Sequence, residues 1–482
     1  MATVASIPPE ILSSIFILVN VTKHSHHLFS DSESHFRGTL PPDNFLSEPT
    51  ASHLGRVCRH WRDVSLATPA LWASLHVDLG GLVRTEGNVE GLKVHLDRAK
   101  AHPLSISLQY GNFQSIGPTD IDDPDFGSLS IPSRIISLIF HRSDHIHHLA
   151  LHFSFAEPSS LISTTFECIF HFRDRLKNLR HLVLYTPDDD AIRALEPFSN
   201  SPLLSSIAIT ISDDTPLQFP RLPFSSLTEV VLEMAGMLQV VSLLGVCSNI
   251  RVAKFSLWSG NEATQINEAP LSLPYLETLY LGEVDQLKAS SLVCLLDALT
   301  MPALKTLSLE ACGDLNYGLR GEELCEIFWH VAALAERSPQ IESLHLNFLP
   351  FEGQDLILVM EKMPKLRVLD VAIEITFGRP LTTSFLKELG REDIVPRLRD
   401  LRLSLCREEG WIEIEKGVLE ELLKRRMSRP PEYRLQSAYL QIKESLVPIL
   451  DFQCLREMQN EGLAVRVTMW QGETEFLGYV QG

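Results

Sequence analysis

"LPYLETLYL" (residues 273–281) and "MPALKTLSL" (residues 301–309) share one nine-residue pattern, with a different kind of segment between them. Leu276, Leu279 and Leu281 in the first, and Leu304, Leu307 and Leu309 in the second, fall in the order apolar-x-x-apolar-x-apolar after a proline. Alternation over the last positions is the signature of a short strand that buries every second side chain. "ASSLVCLLDALT" (289–300), which joins them, spaces its apolar residues for a helix. A strand, a helical return and a second strand of the same direction predict a parallel sheet.

The string recurs as "HIHHLALHF" from 145, "NLRHLVLY" from 178 and "LLSSIAITI" from 203, then as "LTEVVLEM", "VAKFSLW", "SPQIESLHL", "MPKLRVLDV" and "VPRLRDLRL". Anchors on the middle apolar residue are Leu149, Leu182, Ile207, Val230, Phe255, Leu279, Leu307, Leu344, Leu369 and Leu401, at intervals from 23 to 37 residues. Helical spacing also marks 322–337 and 354–363, and Pro202, Pro274, Pro302, Pro339, Pro364 and Pro396 stand where helices should stop before the next strand. One such unit cannot bury its own apolar face, so each depends on its neighbours. The pattern resembles the leucine-rich repeat over roughly residues 145–405. It departs at the position that usually holds Asn or Cys, filled that way only by Cys312 and Cys406, and the units are uneven in length. The expected fold is α/β, a curved solenoid of parallel strands, with 406–482 as an atypical C-terminal cap.

Composition narrows the function. Of 482 residues, 45% are hydrophobic and 21% charged, as in folded chains. The net charge of −19 argues against a nucleic-acid partner, which needs clustered bases. Eight scattered cysteines without a CxxC pair signal neither a disulfide framework nor structural zinc. The apolar run Ile11 to Val19 follows Pro8, Pro9 and Glu10 without a basic leader, and no 18-residue apolar span occurs. No membrane contact and an intracellular setting, cytoplasmic or nuclear, are therefore expected.

Before the repeats, "SIPPEILSSIFILVN" (6–20) starts a helix at its prolines and is apolar on nearly all sides. In "LGRVCRHWRDVSLATPALWASLHV" (54–77), Leu54, Val57, Cys58, Trp61 and Val64 form one helical stripe. Thr68 then caps a short helix from Pro69, and Leu75, Val77 and Leu79 alternate as a strand. These two stretches resemble the F-box, and more narrowly the F-box-like N-termini of repeat proteins in mushroom-forming fungi. The resemblance rests on Ile7-Pro8, the Ile11 and Ile15 spacing, Val57 to Trp61, and Pro69 with Leu71-Trp72. It implies a small three-helix block that docks a Skp-type adaptor, and through it a cullin, while the attached repeats hold a protein substrate for ubiquitination. The implied adaptor contacts are Ile7, Pro8, Ile11, Leu12, Ile15, Val57 and Trp61; Trp61 and Trp72 suit core packing as well. The block takes residues 1–80, with a long polar insertion at about 21–50 where the family has a short loop, and the repeats take 81–482.

Motifs for phosphate loops, nucleophile elbows, zinc proteases or dinucleotide folds are absent, so no catalytic, cofactor-binding or metal residue is assigned and the chain is not expected to be an enzyme. His148, Ala150 and His152 alternate outward, which sets the two histidines roughly 13 Å apart and too far for one metal. "HSHH" (24–27) falls in the insertion, and "KRRMSR" (424–429) reads as the solvated, dipole-compensating end of a helix. The outward residues Tyr185, Glu233, Trp258, Tyr280, Glu310, His345, Asp370 and Arg402 form the candidate substrate face, suited to a polar or basic segment. An ordinary solvated face, or a scaffold whose N-terminal block only caps the repeats, accounts for the same residues.

Overall fold

Strand follows return and return follows strand along the chain, as the periodicity predicts. The computed structural model describes residues 7–28, 50–79, 86–109, 130–153, 166–167, 169–185, 193–210, 222–258, 270–285, 289–310, 321–347, 349, 352–373, 381–405, 414–443, 447, 449–471 and 474–476. The chain divides into two units, Met1–Ser212 with Gln218–Ser226, and Asp213–Leu217 with Leu227–Gly482.

The first unit opens with helix α1 (Pro9–Leu28), α2 (Thr50–Gly55) and α3 (Arg59–Ala67), a 3-10 turn at Pro69–Trp72, and strand β1 (Ser74–Asp78). Pro9 suits the first helical position because its missing N–H has no intrahelical acceptor there, and the Leu12 N–H reaches Pro8 O at 3.0 Å. Two expectations are corrected here. The helix runs through 21–28, into the expected insertion, and 29–49 lies outside the described residues. The single stripe from Leu54 to Val64 is broken at Cys58, which is extended (φ −160°, ψ 172°) and accepts the Trp61 N–H on Sγ at 3.5 Å. That cap starts a new helix and turns Val57 and Cys58 out to solvent. Arg62 Nε closes the helix before it, donating to Gly55 O at 3.0 Å. Thr68 does not cap the Pro69 turn with its side chain; its hydroxyl donates back to Val64 O at 2.8 Å.

Helices α4 (Glu86–Ala99) and α5 (Ser130–Phe140) alternate with β2 (Leu104–Gln109) and β3 (Ile146–His152), followed by β4 (His181–Tyr185) and β5 (Ser206–Thr210). All pair in parallel, and Leu75, Ile106, Leu149, Leu182 and Ile207 stand in one register column, every one buried. Against β2 the pairing jumps from Ile146 to His148, leaving His147 as an extra residue. Ala150, expected to face outward, is buried, because its methyl is shorter than the side chains of its register partners Ser107 and Val183.

The second unit repeats the scheme. Its strands are β6 (Glu229–Ala235), β7 (Val252–Trp258), β8 (Thr278–Asp285), β9 (Thr306–Glu310), β10 (Ser343–Asn347), β11 (Val368–Ile373), β12 (Asp400–Leu405), β13 (Ser437–Lys443) and β14 (Ala464–Gln471). They run parallel in chain order, and β15 (Thr474–Phe476) ends the sheet antiparallel to β14. The returns include α6 (Met237–Val246), α7 (Ala289–Ala298), α8 (Gly321–Arg337), α9 (Gly353–Glu361), α10 (Thr383–Leu389), α11 (Val418–Met427) and α12 (Phe452–Asn460). The buried column runs Val230, Ala253, Leu279, Leu307, Leu344, Leu369, Leu401 and Ala438. In β7 the anchor is therefore Ala253, and Phe255, the anchor expected from the sequence, pairs with Leu281 one step further on.

Two backbone devices hold this register while the returns vary in length. Before each of β8 to β12 comes a tight turn in which Leu276, Leu304, Ile341, Leu366 and Leu398 donate to Leu273, Met301, Ser338, Met363 and Val395. Pro274, Pro302, Pro339, Pro364 and Pro396 take the second turn position, where a fixed φ near −65° belongs. One carbonyl then accepts two consecutive N–H groups of the next unit: Glu277 O from Lys305 and Thr306 at 2.8 and 3.0 Å, and Lys305 O from Glu342 and Ser343 at 2.8 and 2.9 Å. The same arrangement recurs at Glu342, Arg367 and Arg399.

The "KRRMSR" segment is corrected most sharply. Arg426 is 0% exposed and donates to the carbonyls of Leu389, Ile394 and Val395, and Arg429 is buried too, donating to Arg391 O at 2.5 Å. The carbonyls that end α10 need donors, and a guanidinium with five N–H groups supplies them. Val395 holds φ 37°, a costly conformation for a β-branched residue, within this clasp.

Candidate functional site

Helix α1 carries apolar residues on two faces with different fates. Leu12 and Phe16 are each 1% exposed and make the block's core, with the Phe16 ring meeting Trp61 edge-on at 4.9 Å. Ile11, Ile15 and Leu18 form the next stripe, at i, i+4 and i+7, and are 55%, 43% and 67% exposed. Pro8 is exposed and Ile7 half-buried, its carbonyl 3.3 Å from His60 Nε2. Val57, 60% exposed, lies just before the Cys58 cap of α3. Leu12 is thus core and not free to meet a partner, which corrects its place among the expected contacts. Trp61 is half-buried, with its indole N–H buried and without an acceptor. Leu18 joins the exposed row although it is not among the expected contacts; its i+7 spacing from Ile11 is the available signal.

The block is fastened to helix α4. Trp72 is buried, its Nε1 donating to Ser65 O at 2.9 Å, and the Arg98 guanidinium of α4 lies 4.5 Å over its ring. His95 on α4 meets Trp72 edge-on at 5.2 Å, and burial pushes its imidazole down to about 4. Ser13 and Thr68 hydroxyls, 3.0 Å apart, tie α1 to the 3-10 turn. The row on α1 is therefore presented by a braced helix.

On the outer strand face of the second unit, register places Tyr280, Ser308, His345, Asp370 and Arg402 side by side on five consecutive strands. Tyr280 Oη donates to Glu310 Oε2 at 2.6 Å, and the phenol lies over Gly282, where a Cβ would collide with it. Asp370 Oδ2 lies 3.3 Å from His345 Nδ1 and 3.6 Å from Arg402 Nη1. The carboxylates of Glu310 and Asp370 are therefore already engaged. Ser308 is buried between the longer Tyr280 and His345 side chains beside it. Glu233 lies half-buried on β6 with interactions of its own, and Trp258 ends β7, its side chain outside those described. Tyr185 belongs to the first unit, where its ring lies 6.5 Å from that of His152.

That first-unit face is rich in histidine. His76 Nδ1 is 3.0 Å from Ser107 Oγ, Ser105 Oγ is 3.3 Å from His148 Nδ1, and the His148 and His181 rings are 6.1 Å apart. Burial pushes His152 down to about 4, with the nearby His76 adding to the effect. Among the described residues no group of three His, Cys, Asp or Glu could hold a metal ion, and no helix is long and apolar enough to cross a membrane. "HSHH" lies on the backbone of α1, and Cys312 and Cys406 fall outside the described residues.

No curated protein matches the chain in sequence. The block of braced helices and first strand, residues 4–78, matches the family model described as F-box-like, so the N-terminus of this chain is an F-box-like domain.

Proposed function

We propose that this chain is the substrate-recognition subunit of a Skp–cullin–F-box ubiquitin ligase and catalyses nothing itself. The exposed row Ile11, Ile15 and Leu18, together with the exposed Val57 of the same block, carries this reading. Large aliphatic side chains in register on a braced helix, within an F-box-like domain, suit a Skp-type adaptor. Each side chain is roughly half exposed, so covering it yields about 1 kcal/mol, and the row is an anchor that the rest of the contact must supplement to offset association costs. The remainder reads as degenerate leucine-rich repeats in a curved solenoid, 81–482, whose outer strand face around Tyr280, Glu310, His345, Asp370 and Arg402 takes the protein substrate. A block serving only to cap the repeats would cover Ile11 and Ile15 with the chain's own residues, and both are exposed.

Co-expression of the full chain with a Skp-type adaptor tests this. Co-elution is expected from the parent and lost from the double variant Ile11→Asp, Ile15→Asp with its circular dichroism unchanged. A folded parent that never co-elutes sinks the reading and leaves the scaffold alternative.

A further inference from the structure

One row of side chains crosses the strand-entry end of the second unit at the residue just before each strand. It reads Arg251, Glu277, Lys305, Glu342, Arg367 and Arg399. For five positions the signs alternate, and the acids pair with their neighbours: Glu277 with Lys305 at 2.6 Å and with Arg251 at 3.4 Å, Glu342 with Arg367 at 3.4 Å. The alternation then stops. Arg399 follows Arg367, and its N–H donates to Arg367 O at 2.8 Å, so two bases become rung neighbours.

In a parallel row two residues earlier bases also come to stand on consecutive units. Lys365 Nζ donates to Gln340 Oε1 at 2.6 Å, which shows that this row also stacks from unit to unit. After Lys365 come Arg397 and Arg434, at the same offset from their strands. Leu366, Leu398 and Leu435, between the two rows, are all buried, so the flanking bases turn outward. Five bases thus lie on three consecutive units, with strands about 4.8 Å apart. Arg397 and Arg434 are exposed, and Lys365, Arg367 and Arg399 half-exposed. Glu342 on Arg367 is the one acid paired within the strip among the described residues; Asp400 accepts from Ser437 Oγ at 2.5 Å, and Glu432 is exposed two residues before Arg434. No carboxylate pairs with Arg397, Arg399 or Arg434 among the described residues.

Like charges at this spacing repel, and they stand in a chain whose net charge is −19. The geometry points to a docking strip for an acidic segment of a protein partner, read by guanidiniums that suit planar, two-pronged contact with carboxylates. A strip about 10 Å wide within an acidic chain holds a short run of Asp or Glu. A longer polyanion such as nucleic acid meets repulsion as soon as it leaves the strip. This site is separate from the α1 row and does not depend on adaptor docking.

The test is fluorescence anisotropy of a labelled octaglutamate peptide against the full chain at low and moderate salt. Saturable binding that weakens as salt rises is expected, reduced about tenfold or more by Arg397→Glu, Arg399→Glu and Arg434→Glu together, and unchanged by Arg251→Glu in the paired part of the row. The triple change to Gln, which adds no repulsion, should weaken binding in the same direction and guards against misfolding. Absence of saturable binding, binding by both triple variants as tight as the parent's, or an oligothymidylate of equal charge binding as tightly would each overturn the proposal.

Discussion

Replacing Arg426 with methionine keeps much of the side-chain volume and removes every donor. Its guanidinium serves the carbonyls of Leu389, Ile394 and Val395, and only Val395 O keeps a second donor, the Leu398 N–H at 3.2 Å. Burial pushes Arg426 down to about 9, so the group still carries its charge at neutral pH. The substitution gives back the cost of holding a charge away from water. It leaves the Leu389 and Ile394 carbonyls buried and unpaired, at about 1–3 kcal/mol each. The same clasp holds Val395 at φ 37°, a conformation that relaxes once the donor is gone. A net loss of about 3 kcal/mol is expected. It should be read as a lower urea midpoint and as faster hydrogen exchange confined to α10 and the turn before β12. A midpoint at or above the parent's, with unchanged exchange there, would show instead that the buried charge costs more than its hydrogen bonds return.

Other outcomes rest on particular contacts. Phe16→Ala should destabilise the N-terminal block by about 3–5 kcal/mol, seen as early loss of protection in α1 and α3, because the ring fills the core against Trp61. Leu307→Ala, in the buried column, should cost about 2–5 kcal/mol by denaturant unfolding. Acid should loosen the first unit: unfolded His95 takes up a proton below about 6.5 but the folded residue only near 4, so about 3 kcal/mol of stability present above pH 6.5 is lost as pH falls towards 4. His95→Gln should flatten that part of the curve in a melting-temperature profile against pH. Gly282→Ala should lift the Tyr280 phenol off the strand and break its bond to Glu310, detected as a changed tyrosine titration with a stability cost of about 1 kcal/mol.

The strands are legible in the sequence because alternate burial leaves a two-residue rhythm and the prolines mark one recurring turn position. Where one strand has two equivalent apolar choices, the rhythm alone chooses wrongly: Phe255 is the heavier residue, but Ala253 sits in the column. The break at Cys58 is hidden, since a thiol that accepts a backbone N–H looks like one more apolar residue in a stripe. Arg426 and Arg429 mislead for a related reason. Composition says that basic residues at a helix end belong in water, and only the tertiary fold shows unpaired carbonyls of another return in reach. On α1 both apolar faces are visible, but which of Leu12 and Ile11 turns inward depends on where Phe16 meets Trp61, a contact 45 residues apart in sequence. The grouping of Tyr280, His345, Asp370 and Arg402 follows from the repeat register; their mutual pairing does not.

Docking of the adaptor on α1 is read most directly by hydrogen exchange of the full chain with and without a Skp-type adaptor. Strong added protection is expected over residues 9–18 of α1 and around Val57, with the sheet of the second unit unchanged. Protection spread over the strand face instead, or no change on α1 at saturating adaptor, would contradict a ligase subunit that docks through this row.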